Sequence, residues 1–312
     1  MSKGLSVRRE PLRNPRRRGT SRTDGDGWQT AGVFVPRRLD KFLRDATPLS
    51  VVGAREALAA GRVTIADVAC TLDERLVFED DAVRLDGALV TPRRAHFHAM
   101  LHKPRSVTSS ARDPEGKADL SRFLEQMPPG AFPIGRLDRD TTGLLLFTDD
   151  GDFANAVLHP DHHTDKVYWL WLDEPVADDD PRLVALTEGV PVLGQTARAK
   201  SVVVQHRTEQ LTELLVTLCE GKNRQIRRMC RALDFRLVAL HRRSVGPLQL
   251  GTLPAGQWRP LAQDEVRAAW QATGGPERVM ARKIAALRRM AAAARQGGAP
   301  ELRLEAWLAS VN

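Results

Sequence analysis

Asp138 has the setting expected of a reactive carboxylate. It lies within Phe132 to Gly151, FPIGRLDRDTTGLLLFTDDG, where the charged turn Arg136-Leu137-Asp138-Arg139-Asp140 runs into the apolar stretch Leu144 to Phe147. A charged turn feeding a short buried strand presents a side chain at the rim of a rigid sheet. Three readings compete for it. An aspartate between two arginines in a turn is often simply salt-bridged. Asp138 and Asp140 would work as a glycosidase pair only with their carboxyls set across one bond, which residues two apart in a turn rarely achieve. The third reading, a catalytic Asp138, needs residues beyond this turn: Tyr168 and Gln225-Ile226-Arg227.

Other residues with chemical potential form weaker patterns. His96 and His98 share a strand face with His102 nearby, and His159, His162 and His163 flank Asp161 and Asp165. Neither group has a closed set of Cys or carboxylate ligands at metal-site spacing, so no metal is expected. No glycine loop of the P-loop or dinucleotide type occurs, and no cofactor is expected. Cys70, Cys219 and Cys230 are too few and too isolated for a disulfide framework or zinc ribbon. Such cysteine usage fits a reducing cytoplasm, and Cys219 and Cys230 read as core thiols.

The elements that would position Asp138 follow from periodicity. His96 to Leu101 alternates as a strand, and Lys103 to Thr108 reads as an exposed loop. Asp119 to Leu124 suggests a short helix, and Asp152 to Leu158 another after the Asp150-Gly151 turn. Lys166 to Leu172, KVYWLWL, is a strand by its aromatic and β-branched content, and it carries Tyr168, the sole tyrosine of the chain. A helix over 181–186 and strands near 199–205, 211–219 and 237–240 follow. Between the last two strands a helix places Ile226, Met229, Cys230 and Leu233 on a buried stripe, with Arg224, Arg227 and Arg231 on another face. Strands interspersed with helices, without strict alternation, predict an α+β fold.

The chain outside this core is basic. Its 312 residues carry 47 Lys and Arg, most of them Arg, against 39 Asp and Glu, for a net charge of +8. Such a balance with clustered cations is the footprint of a nucleic-acid binder. Residues 1–35 form a polar arm with Lys3, Arg8, Arg9, Arg13, Arg16, Arg17, Arg18 and Arg22, suited to RNA phosphates. Residues 36–94 predict a small unit. Leu39, Phe42 and Leu43 share a helical face, Ala54 to Ala60 makes a second helix, and Gly61 stops it before the strand Val63 to Ile65. Val77 to Val90 alternates through a hairpin turn at Asp86-Gly87. Thr91 to Arg94 reads as a linker, residues 95–271 as the main domain, and 272–312 as an Ala- and Arg-rich extension. In that extension Met280, Ile284 and Leu287 share a face that would bind RNA, pack on the core or stay unstructured. No run of about 18 apolar residues suggests a membrane span, and no apolar segment suggests a secretory signal.

Taken together, GRLDRDTTGLLLFTDDG, KPRSVTSS, HPDHHTDKVY, EGKNRQIRRM and LHRRSVGPLQLGTLPAGQWRPL resemble the RsuA-type family of ribosomal RNA pseudouridine synthases, from about residue 36 to 268. Residues 36–94 are similar to the alpha-L RNA-binding domain through RLDKFL, AREAL and GRVTI, although only Arg55 remains of its usual Ser-Arg pair. The resemblance implies an α+β catalytic core with a mainly antiparallel sheet. It implies a cofactor-independent isomerase that breaks the glycosidic bond of one uridine, turns the uracil and rejoins it through a ring carbon. Asp138 would be the catalytic carboxylate, attacking the sugar or removing a sugar proton. Tyr168 would stack on the base, and Arg227 would be the bidentate partner fixing Asp138. Asp140 is then a structural carboxylate. Arg38, Lys41, Arg55 and Arg62 would contact RNA from the small unit, and Arg136, Arg139, Lys166, Asn223 and Arg224 from the core. Asp161-His162-His163 before Lys166 favours a small-subunit target. The expected protein is a cytoplasmic monomer that binds ribosomal RNA or an assembling subunit. The alternative from another class is a non-catalytic assembly factor using the same surfaces.

Overall fold

The computed structural model describes residues 34–91, 96–296 and 301–311. Nearly all of the basic arm and all but Thr91 of the expected linker therefore lie outside the described residues. The arm's last two positions do not behave as an arm: Phe34 packs against the small unit's core, and Val35 is only 3% exposed.

The small unit comes first. Helix α1, Leu39–Ala46, turns Leu39, Phe42 and Leu43 into a core shared with α2, Val51–Ala59, and the strand Val63–Ile65. Helix α2 starts three residues earlier than expected because the Ser50 hydroxyl accepts the Gly53 N–H at 3.0 Å and caps it. The hairpin turn at Asp86-Gly87 is present, with both residues at positive φ, between Val83–Leu85 and Ala88–Leu89. Continuous alternation from Val77 is not. Leu76–Val77 pairs with Arg37–Arg38 instead, and the Asp81 carboxylate accepts the Phe78 N–H at 2.8 Å to end that strand.

The main domain is built on one sheet. Its strands are β1, His98–Lys103; β2, Phe132–Ile134; β3, Thr142–Thr148; β4, Lys166–Leu172; β5, Ser201–Arg207; β6, Thr212–Leu218; β7, Leu237–Val245; β8, Leu248–Gln249; and β9, Trp258–Pro260. They lie in the order β5-β6-β4-β7-β3-β1-β9, with β8 beside β7 and β2 beside β3. Pairing is antiparallel except between β3 and β7, which run parallel through Thr142↔His241 and Gly143↔Arg242. This is the expected α+β class, a mixed and mainly antiparallel sheet with flanking helices.

The strands feed two cores, one on each face, as the two-residue side-chain period dictates. Leu145 and Phe147 of β3 join Tyr168 and Leu170 of β4 on the first face, while Leu144 and Leu146 join Phe153, Val245 and Trp270 on the second. Each fully buried leucine contributes roughly 1.5–3 kcal/mol. Helix α3, Gly151–Leu158, covers the second face; α4, Pro181–Glu188, and α5, Gln225–Ala232, cover the first. On β4 the odd positions turn away from Tyr168. Trp169 and Trp171 stack at 5.2 Å, and each indole N–H donates to one oxygen of Glu213 at 3.1 Å.

The C-terminal extension packs. Helix α6, Gln263–Ala272, leads into α7, Gly275–Gln296, and α8 is Leu302–Ser310. Val279 enters the second core of the sheet, while Leu287, Ala291, Leu304 and Leu308 close over Val35 and Phe78 of the small unit. Of the expected face, Leu287 is buried, and Met280 and Ile284 are partly so. Asp152 on α3 binds both Lys283 of α7 and, at 3.5 Å, Lys41 of α1. Among the described residues no helix is long and apolar enough to cross a membrane.

Candidate active site

The turn that carries Asp138 leaves the end of β2 and is held by the segment after β1. The Ser109 hydroxyl is buried, accepts the Leu137 N–H at 3.0 Å and donates to the Leu137 carbonyl at 2.7 Å. The Ser106 N–H donates to the Arg139 carbonyl at 2.8 Å, and the Thr141 N–H to the Asp138 carbonyl at 3.0 Å. The backbone on both sides of Asp138 is thereby fixed. The segment expected as an exposed loop is partly interior, because its ends are spent on this support. Lys103 is fully buried at the end of β1, its ammonium donating to the Pro104 and Val107 carbonyls at 3.0 and 2.8 Å. Burial pushes that ammonium down to about 8, against the pull of Asp140 and Asp138.

Helix α5 approaches the turn from the other side. Ile226, Met229 and Cys230 anchor it in the first core, and buried Gln225 ties it to the preceding loop through Glu220 and the Lys222 N–H. Leu233 caps its C-terminus and is only partly buried. Arg224 does not share a helical face with Arg227 and Arg231. It stands before the helix with φ +51, a left-handed conformation that swings its side chain toward the turn.

Two carboxylates and two guanidiniums meet there. Arg227 Nη1 is 3.3 Å from Asp140 Oδ2, and its Nη2 donates to the Asp140 carbonyl at 3.1 Å and to Thr141 Oγ1 at 3.2 Å. Its Nε stands 3.8 Å from Asp138 Oδ2 and has no hydrogen-bond partner. Arg224 Nη1 lies 3.3 Å from Asp140 Oδ1 and 3.6 Å from Asp138 Oδ2. The expected bidentate clamp of Arg227 on Asp138 is therefore absent, because Asp140 takes the fork. Asp140 is thus the carboxylate with the closer ion pairs to both arginines, as the reading of it as a structural carboxylate expects. Burial opposes its ionisation, but the Arg224 hydrogen bond and the Arg227 charge outweigh that and hold it below the usual range. Burial also lowers the Arg227 guanidinium against the pull of Asp140, though it remains charged.

A cavity of about 500 Å³ opens over this cluster. Asp138, Tyr168 and Arg227 all line it, as do Arg136, Arg139, Lys166, Asn223 and Arg224. Tyr168 is 8% exposed and sits between Val216 and Arg242 across its neighbouring strands. Lys166 donates to the Thr164 carbonyl at 3.0 Å, and burial lowers its ammonium. Arg136 and Arg139 are exposed at the rim. Arg38, Lys41, Arg55 and Arg62 do not line the cavity, and each is ion-paired: Arg38 with Asp40, Asp73 and Glu74, Lys41 with Asp152, Arg55 with Asp40 and Asp73, Arg62 with Asp86.

Several contributors escaped the sequence reading. Arg242 lines the cavity at 5% exposure, its Nε donating to the Leu144 carbonyl at 2.8 Å. Its signal was a charge at an inward position of an alternating strand. Ser109 and Lys103 lay within KPRSVTSS but were not singled out. The histidine groups find other employment: His98 bonds Thr148 at 3.0 Å, and buried His162 bonds the Ala156 carbonyl at 2.5 Å. Among the described residues no three His, Cys, Asp or Glu side chains gather as a metal site.

The arrangement is one partly exposed carboxylate, two cations and an aromatic wall around a nucleoside-sized cavity. It suits nucleophilic or basic attack by a carboxylate on a sugar whose base rests on the aromatic. A family model described as RNA pseudouridylate synthase matches residues 97–232. The chain is 34% identical over 235 residues to ribosomal small subunit pseudouridine synthase A of Vibrio cholerae, covering 75% of this chain and all of that protein. It is also 34% identical over 234 residues to ribosomal large subunit pseudouridine synthase B of Bacillus subtilis, covering 74% of this chain and 94% of that one. A crystal structure of a pseudouridylate synthase superposes with a TM-score of 0.51 at 29% identity, over 74% of this chain and 99% of that one. This chain thus belongs to the RNA pseudouridylate synthase family, in its RsuA-type group, and is an isomerase that converts uridine to pseudouridine.

Proposed function

We propose that this enzyme isomerises one uridine of ribosomal RNA, with Asp138 as the reacting carboxylate. The observation that carries the reading is the convergence of Asp138, Tyr168 and two guanidiniums on one cavity. The uridine leaves its stack to enter, at a cost of a few kcal/mol that is smallest in loops and single strands. Asp138 attacks the anomeric carbon or removes a sugar proton; either step breaks that carbon's bond to the ring nitrogen and frees uracil from the sugar, and rejoining later expels the Asp138 carboxylate or returns the sugar proton. The detached base turns against Tyr168 and rejoins the same sugar through a ring carbon, which gives up its proton while the freed nitrogen gains one. Tyr168 supplies stacking worth roughly 1–3 kcal/mol, and its hydroxyl assists the last proton removal.

Arg136, Arg139, Lys166, Asn223 and Arg224 hold the flanking phosphates. Residues 36–94 dock a further stretch of RNA as an alpha-L domain. Their cations are already paired with carboxylates, but exposed ion pairs are worth only about 0–1 kcal/mol each, so exchanging a carboxylate for a phosphate costs little. A small-subunit target, action as a monomer and a cytoplasmic location complete the proposal.

Asp138→Asn tests it. The variant is expected to bind ribosomal RNA and form no pseudouridine, read by carbodiimide labelling and primer extension. Undiminished pseudouridine in the variant sinks the assignment.

A further inference from the structure

Asp138 and Asp140 share the same two arginines unequally. Asp140 takes Arg224 through both terminal nitrogens, at 3.3 and 3.5 Å, and Arg227 at 3.3 Å, while its backbone carbonyl accepts a further Arg227 N–H at 3.1 Å. Asp138 receives only the longer approaches of 3.6 and 3.8 Å. Both of these approaches fall on the same oxygen, Oδ2. A bidentate arginine would occupy both oxygens of a carboxylate and lock its rotamer. Such a carboxylate has less freedom to form a bond to carbon or to take a proton.

We infer that Asp140 is a positioning residue, which anchors Arg227 and Arg224 beside Asp138 and prevents either from closing on it as a bidentate pair. The inference rests on Asp138 being the reacting carboxylate. Asp140 is suited to the task because it stays ionised between two guanidiniums. Thr141 Oγ1 adds a second hold on Arg227 at 3.2 Å, so the guanidinium is fixed in plane as well as in distance. The unpartnered Arg227 Nε marks how near the alternative lies. Without the Asp140 charge, the closest carboxylate to both arginines is Asp138.

The test is a comparison of Asp140→Asn and Asp140→Glu with the intact enzyme on ribosomal RNA. Asp140→Asn is expected to lower kcat by about 10²-fold, as a misplacement near 1 Å does, with KM changed by less than about threefold. Asp140→Glu restores the charge and is expected to recover most of that loss. The urea midpoint of both variants should match the parent. Wild-type kcat in Asp140→Asn overturns the inference. So does a loss that Asp140→Glu does not recover, one that lies in KM, or one that tracks a fallen urea midpoint. Asp138→Asn is assayed alongside: if it retains activity, the assignment of Asp138 fails on that result, separately from anything seen at Asp140.

Discussion

Arg303, on the last helix, donates to Asp81 of the small unit at 2.9 Å, so the C-terminal helix is joined to the small unit by an ion pair. The same guanidinium reaches Asp80 at 2.6 Å and lies over the Phe78 ring at 4.3 Å, while the Trp307 indole donates to the Phe34 carbonyl at 3.1 Å. The extension thus straps the small unit while Lys283 and Val279 engage the main domain. The strength of the strap comes from its apolar part. Leu304→Ala, at a buried position, is expected to cost about 2–4 kcal/mol in urea unfolding of the contact, and Arg303→Ala less than about 1 kcal/mol because that side chain is largely exposed. Limited proteolysis should cut between the small unit and the main domain faster in Leu304→Ala. Equal losses in the two variants would show that the ion pairs dominate.

Tyr168 offers a ring and a hydroxyl, which two substitutions separate. Tyr168→Phe keeps the ring and should retain substrate affinity while losing rate at the final proton transfer, by about 10²-fold if the hydroxyl serves there. Tyr168→Leu removes stacking worth roughly 1–3 kcal/mol and should lower kcat/KM further. Equal kinetics for the two variants would assign the whole effect to the hydroxyl. The readout is pseudouridine formed per enzyme over time.

Gly143 is where the parallel junction of β3 and β7 needs glycine. Its φ is +109, and an added Cβ would stand 2.3 Å from the Arg242 carbonyl oxygen and 2.6 Å from its nitrogen. Backbone cannot yield as a side-chain tip can. Gly143→Ala is expected to cost at least about 3 kcal/mol and to disturb Arg242 at the cavity wall, seen as a lower melting temperature and weaker activity. A variant with the parent's melting temperature would mean the junction is looser than its geometry indicates.

The fold should weaken in acid in two stages. Burial pushes His98 down to about 4, and His241 is likewise pushed to about 4 by burial with help from His102 and Arg243. Between about pH 6.5 and 4 the unfolded chain binds protons at these histidines and the folded chain does not, so stability falls as pH falls, by on the order of 2 kcal/mol at His98 and by less at the partly exposed His241, where solvent screens the cost. Asp152 moves the other boundary. It is desolvated, yet Lys283 and Lys41 hold it at about 2, so its contribution is present above about pH 4 and lost as pH falls toward 2. Urea midpoints across pH 3 to 7 measure the first stage directly, and His98→Phe should flatten it. An unchanged slope in that variant would show that His98 does not carry it.

Much of this was legible because local rules and burial agreed. Leu144 to Phe147 had to be a strand buried on both faces, and it lies in the middle of the sheet with its leucines split between two cores. The amphipathic pattern of Gln225 to Ala232 placed Arg227 off the stripe of Ile226, Met229 and Cys230, which is enough to keep it out of the first core. Lys103 was misread because lysine beside proline is normally a surface signature, and residue type does not show that the chain folds back so that the Pro104 and Val107 carbonyls hold its ammonium inside. The Val77 strand was misread because its partner, Arg37–Arg38, lies about 40 residues away and leaves no local trace.

By itself the sequence determined most of the elements, the α+β class, the family and Asp138, Tyr168 and Arg227 as candidate side chains, since these depend on residue type and on spacing within one helix or strand. Tertiary structure alone decided how charge is shared among them. Asp138 and Asp140 are two residues apart in one turn, and nothing local distinguishes them as partners for arginines more than 80 positions later. Only the approach of α5, preceded by the left-handed turn at Arg224, gives Asp140 the close contacts and leaves Asp138 the loose ones. Ion-pair strength depends on distances of a few tenths of an ångström, and those are set by packing across the whole domain.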